Sequence, residues 1–224
     1  MENNSQTIST QSVNKEVIPN VPNTWPGAFG IYKFSKEAVK FNLETIIYLL
    51  IINIVVSGVL QYIFKNPGKI LSLLVAGIFV GAYTIALITS VRRKKITVGE
   101  SFNQAFKYWL RLIGLYILVV LSLAVSFLLL VIPFFFVLPR LVLCFYYLVD
   151  KDLSIIDAYK ASWNNSKGHS GKAWGIIGAS LVMVLLCVTI IGIPFSIYFL
   201  FMYSCAYAVF YEYLNSNKST TSSV

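Results

Sequence analysis

Few residues in this sequence are of a type that does chemistry. The 224 residues include one histidine, His169, nine acidic residues, and the three cysteines Cys144, Cys187 and Cys205. Phosphodiester hydrolysis needs a metal cluster, or a general acid and base sharing one cleft. The acidic residues instead fall nearly all in tails and loops. Intramembrane proteolysis or acyl transfer would need paired Asp, Ser/His or HExxH-like sets inside apolar segments, and no such set occurs. The cysteines lie in apolar runs without a CxxC pair, so they read as buried structural residues. The chain therefore reads as nonenzymatic, with no catalytic residue, metal site or cofactor.

Arg140 is the exception, a basic residue deep in an apolar run. A charge placed there is costly and by default suggests function. It follows the Pro133 break by a few residues and could snorkel to the outer headgroups, contacting lipid phosphate or carbonyls at the hairpin tip. Two uses stay open for it, a structural or lipid-anchoring one and contact with a substrate. Asp150 and Asp152, at the far end of the same helix, are too distant to pair with it.

The elements that must position these residues follow from composition. The chain is 57% hydrophobic and 12% charged, with a mean hydropathy of +0.73, whereas soluble domains carry about 25% charged residues. This is the composition of a membrane protein. The net charge of +9 sits in short clusters flanking apolar runs, the arrangement that orients membrane spans, so a nucleic-acid partner is not expected. Membrane lipids are, and another membrane protein stays open as a partner.

Residues 1–28 are polar and aperiodic and read as a disordered tail without a signal-peptide pattern, with Trp25, Pro26 and Gly27 either its contact with the membrane surface or an ordinary linker. Residues 34–41 form a short interfacial helix. Spans follow at 43–64 and 70–91, joined by a Pro-Gly turn at 65–69. Asn53 and Gln61 read as packing glue, and Gly77 with Gly81 as a site of close helix approach. Arg92, Arg93, Lys94 and Lys95, directly after a span, read as topology determinants on the cytoplasmic side.

Residues 96–106 align with 153–163 as an internal repeat. Thr97 with Glu100, and Ser154 with Asp157, have the spacing of a capped helix start. These starts open interfacial helices at 97–110 and 154–166, whose aromatic residues (Phe102, Phe106 and Trp109; Tyr159 and Trp163) suit the headgroup region. Each leads into a hairpin broken at a proline, Pro133 or Pro194, giving spans at 112–132, 134–149, 173–191 and 194–214 before a polar tail at 215–224. The expected fold is all-α, a polytopic helical bundle of six spans in three parallel-repeat hairpins, in the cell membrane with both termini cytoplasmic.

Arg140-Leu141, the exit Leu148-Val149-Asp150, and the run Leu153-Ser154 through Asp157, Ala158, Lys160, Ser162, Trp163, Ser166, Lys167 and Gly168 resemble a known signature. It belongs to the membrane domain of glycerophosphoryl diester phosphodiesterases and to related six-span bacterial membrane proteins. That signature has a basic residue in an apolar helix, an acidic exit, and then A-(L/I)-(K/R)-x-S-W-x-x-(T/S)-K-G. Phe145-Tyr146-Tyr147 stands where the family often carries a proline. The phosphodiesterase barrel is not among these residues, so the resemblance implies no hydrolase activity. It implies a motif set of Asp150, Asp157, Lys160, Ser162, Trp163, Lys167 and Gly168.

The function expected is that of an accessory or scaffold that organises lipid or a partner. One alternative is a small transporter or lipid-handling protein with a cavity near Arg140, faced by Asn53, Gln61 and Thr189. Another is a regulatory module related to glycerophosphodiester metabolism.

Overall fold

The computed structural model describes residues 21–22, 24–129, 131–186 and 192–221, without the side chains of 64–74, 129, 131–132, 192–193 and 217–221. Cys187, Thr189, the end of the fifth expected span and most of the N-terminal tail lie outside the described residues. The described residues form helices and connecting turns only. In chain order these are α1 (Ile31–Phe41), α2 (Leu43–Val91), α3 (Val98–Lys107), α4 (Trp109–Leu129), α5 (Val131–Leu141), α6 (Cys144–Lys151), α7 (Ile155–Asn165), α8 (Ser170–Leu186), α9 (Gly192–Tyr203) and α10 (Ala206–Thr221). Helices suit such a sequence, because hydrocarbon offers backbone groups no partner and a helix satisfies them internally.

Among the described residues, four stretches are long and apolar enough to cross a membrane: Leu43–Ile63, Trp109–Leu128, Pro133–Lys151 and Pro194–Ser216. A fifth counts if α7 and α8, bent by 97° at their junction, act as one broken span. Val75–Val91, the second part of α2 for which side chains are described, is a shorter apolar stretch. The described residues alone thus give four or five candidate spans.

Both expected capped starts form. The Glu100 amide donates to Thr97 Oγ1 (3.3 Å) and the Thr97 amide to Glu100 Oε2 (2.8 Å), a complete capping box at the start of α3. The Asp157 amide donates to Ser154 Oγ (3.2 Å) at the start of α7. Gly168, with φ of +75°, occupies the left-handed conformation that glycine tolerates. It lies in the turn where the chain swings from α7 into α8.

The turn expected at 65–69 needs correction. The backbone is helical without interruption from Leu43 to Val91, where a Pro-Gly turn should have ended one helix and begun another. A straight helix of that length would hold its ends about 70 Å apart, yet they meet. Asn42 Nδ2 donates to Ser90 Oγ (3.1 Å) and to the Lys94 carbonyl (2.8 Å), and Thr45 Oγ1 donates to the Ile96 carbonyl (2.7 Å). Leu49 and Leu87, and likewise Asn53 and Thr84, share one groove. α2 therefore doubles back on itself, with the reversal midway between these pairs, close to Gly68. The hairpin exists, but its apex keeps helical hydrogen bonding.

Pro133 and Pro194 are each the third residue of their helix, α5 and α9. The first turn has no use for a proline's missing N–H. Each of these helices breaks again before the chain end is reached, between α5 and α6 and between α9 and α10. Carbonyls released at such breaks need partners. Ser162 Oγ of α7 donates to the Arg140 carbonyl at 2.5 Å, and Ser35 Oγ of α1 donates to the Met202 carbonyl at 2.7 Å.

Short helices thus grip returning helices: α7 packs on α5 and α6, α1 on α9 and α10, and α3 on α2. Gly77 and Gly81 allow α4 to approach α2 closely. A Cβ at Gly81 would collide with the Leu112 side chain, and one at Gly77 would lie 3.4 Å from the Ile113 Cα.

Two details of the tails come from the structure alone. Trp25, expected at the membrane surface or in a linker, is half-buried. It packs on Phe210 and Tyr213, with ring centroids at 5.4 Å in both cases, and the Tyr203 hydroxyl donates to the Ala28 carbonyl (2.7 Å). At the other end, residues 215–221 continue α10 as helix. The aromatic face expected on α3 is divided: Phe102 meets Phe79 edge-on, while Phe106 and Trp109 are exposed.

Candidate functional site

The ends of α2 and α6 meet α10 at one point. Arg92 follows α2, Asp150 lies in the last turn of α6, and Glu212 lies on α10. Arg92 Nη1 is 2.6 Å from Asp150 Oδ1, and Arg92 Nε is 2.7 Å from Glu212 Oε1. Tyr211 donates its hydroxyl to Asp150 Oδ2 (2.7 Å), and Lys151 Nζ stands 3.8 Å from the same oxygen. The Asp150 and Glu212 side chains are only 8% and 3% exposed. Burial opposes the charge on Arg92, but the hydrogen bond to Asp150 and the charges of Glu212 and Asp150 outweigh it and raise its pKa. Tyr146 and Tyr147 pack around the Tyr211 ring, at 5.6 and 4.8 Å.

This clasp also places the charged end of the molecule. Arg92 and Asp150 share a salt bridge, and Arg111 Nη1 reaches Asp152 Oδ1 at 2.7 Å. The basic stretch 92–95 and the region beginning at Asp150 are therefore on one face. Within the stretch, Arg93 faces Glu37 at 3.9 Å, the Lys94 carbonyl receives Asn42, and Lys95 lies over the Phe41 ring.

The Arg140 guanidinium lies over the Trp163 ring, 4.6 Å from its centroid, and its Nε is buried without a hydrogen-bond partner among the described residues. Trp163 stacks nearly parallel on Tyr159. Arg140 thus faces α7, the helix that begins beside the charged end, and its contact is aromatic. Arg140, Ser162 and Trp163 of the motif come together here. Asp150 instead belongs to the clasp, Asp157 accepts the Ser154 hydroxyl (2.6 Å) at the start of α7, and Lys160, Lys167 and Gly168 are exposed.

Beneath the clasp is a groove of about 410 Å³ between the two arms of α2 on one side and α6, α10 and Ser204 on the other. Leu49, Leu50, Phe79, Val80, Leu87 and Phe145 give it apolar walls, and Asn53, Tyr83, Thr84, Ser204 and Tyr207 contribute polar groups. Of the residues expected to face a central cavity, Asn53 lines this groove. Arg140 does not, and Gln61 is exposed.

Sequence reasoning missed Glu212 altogether and read Arg92 only as a topology signal. One signal was present: a lone acid inside the apolar run Ala206–Leu214 is as conspicuous as the lone base Arg140. Among the described residues no group of three or more His, Cys, Asp or Glu side chains is placed to hold a metal ion. No family model, curated protein or solved structure matches this chain.

Proposed function

We propose that the chain is a six-span protein of the cell membrane, built from three hairpin units with both ends on the cytoplasmic side, and that it serves as a nonenzymatic scaffold organising lipid or a partner protein. The clasp is the observation that carries this reading. Each unit's returning helix contributes one member, Arg92, Asp150 or Glu212. A buried charge set of this kind is best suited to holding helices in one register. The ring of grips supports three units, since α3 packs on the first, α7 on the second, and α1 closes on the third.

On this reading the charged motif residues are structural, and the resemblance to the phosphodiesterase membrane domain concerns architecture. Purification in mild detergent, followed by mass spectrometry of bound lipids and proteins, tests the proposal. Reproducible retention of a lipid class or a membrane protein is the expected result. Turnover of glycerophosphodiesters by the pure protein would overturn it. Cysteines placed at Lys94 and Lys160 should label from one side of the membrane, and one at Lys69 from the other.

The lipid-handling reading is favoured by one feature, the groove at Asn53. A regulatory link to glycerophosphodiester metabolism predicts co-purification with a phosphodiesterase.

A further inference from the structure

We infer that the groove beneath the clasp is a binding site for an ester-linked acyl lipid, recognised at its carbonyl by Asn53 and Thr84. The inference rests on the membrane reading above and adds a ligand class and two recognition residues.

The argument begins with the polar groups of the groove. The Tyr83 hydroxyl lies beside Ser204 and the Tyr207 hydroxyl beside Ser180, while Ser204 Oγ is itself buried without a hydrogen-bond partner among the described residues. Asn53 and Thr84, facing each other from the two arms of α2, make no side-chain hydrogen bond among the described residues. In hydrocarbon, unpaired amide and hydroxyl donors are unfavourable.

A ligand that fits must offer acceptors to these donors and an apolar body to the walls. No Lys, Arg, Asp or Glu lines the groove, so a charged headgroup has no counterpart there. A plain hydrocarbon tail would leave both donors unpaired. An acyl ester has the required features: a carbonyl that accepts from the Asn53 amide and the Thr84 hydroxyl, and methylenes to lie along Leu49, Phe79, Val80 and Leu87.

Thr84 is eight residues before Arg92, about 12 Å along the helix. With the clasp in the headgroup zone, about 6 Å thick on each side of the hydrocarbon, the donors lie about 6–12 Å inside the hydrocarbon, so the ester reaches them by sinking into the groove. Leu50, half-exposed on the rim, leaves the groove open sideways to lipid.

The test is photolabelling in nanodiscs doped with a phospholipid bearing a diazirine on the acyl chain near the ester. Labelled residues are identified by peptide mass spectrometry. The expected result is enrichment at Phe79, Val80 and Tyr207 over the outward residues Leu121 and Leu128 of α4. Asn53→Leu should reduce groove labelling at least fivefold, Asn53→Gln should restore most of it, and an ether-linked analogue should label the groove weakly.

Equal labelling of groove and outer faces would overturn the inference, as would labelling indifferent to Asn53→Leu or to ester against ether. So would competition by a quinone but not by unlabelled diacyl lipid. Unfolding temperatures confirm that the variants are folded. Cysteine accessibility of Lys69, Lys94 and Lys160 reports the membrane reading independently, so the two can fail separately.

Discussion

Arg92 and Arg140 are both single arginine side chains meeting long apolar helices, and the fold gives them opposite surroundings. Arg92 is met by two carboxylates from different helices, one of them also bonded by a tyrosine. Arg140 is met by an indole ring and retains a buried Nε without a hydrogen-bond partner among the described residues. The difference follows from position. Where the ends of α2 and α6 meet the body of α10, several side chains can reach one charge. In the last turn of α5, Arg140 meets α7, and an aromatic face is what α7 offers. A charge shared between helices fixes how they assemble, while a charge on a ring is held locally.

The largest expected effect breaks the first of these environments. Arg92→Leu leaves the buried Asp150 and Glu212 together with only the exposed Lys151 as a nearby positive charge and should cost about 3–5 kcal/mol, read as a large fall in unfolding temperature in detergent. The triple variant Arg92→Leu, Asp150→Leu, Glu212→Leu should recover most of that loss, because removing all the charges removes the penalty. A triple variant as unstable as the single one would mean the clasp is not a charge device.

Breaking the second environment should matter less. Trp163→Leu removes a cation–π contact of about 0.5–2 kcal/mol. In a double-mutant cycle with Arg140→Leu, a coupling of about 1 kcal/mol is expected, against none if the two merely lie near each other. Arg140→Leu should leave membrane insertion intact and lower any lipid selectivity of the purified protein. Ser162→Ala leaves the Arg140 carbonyl without its side-chain donor and should cost about 1 kcal/mol.

The smallest effect concerns a charge wholly in water. The Thr97 backbone amide holds the Glu100 carboxyl below the usual carboxylate range. Its contribution to the start of α3 is present above its unfolded pKa and is lost as pH falls through the lowered folded value. Hydrogen exchange at the first turn of α3 should accelerate at acid pH beyond the intrinsic trend, and Glu100→Gln should flatten that dependence.

Local features were legible in the sequence because neighbouring residues carry them. Thr97 with Glu100 and Ser154 with Asp157 announce helix starts within four residues, and Pro133 and Pro194 mark where returning helices begin. Gly77 and Gly81 marked a close approach, and Leu112 and Ile113 occupy it. The clasp was not legible, because Arg92 and Glu212 are separated by 120 positions and nothing local to either points to the other. The same holds for Trp25, whose partners lie on α10, and for the grip of Ser162 on the Arg140 carbonyl, which exists only because the helix breaks there. At 65–69 the composition signalled reversal correctly, but it did not show that the backbone would reverse while staying helical.

The bonds that close the first unit, from Asn42 to Ser90 and Lys94 and from Thr45 to Ile96, all lie within one stretch of about fifty residues. This unit can therefore zip shut as soon as Ile96 has emerged during synthesis, before any later helix exists. It would then stand as a finished wedge against which the later helices are laid down. Arg92, left at its rim, waits for the two carboxylates that arrive last.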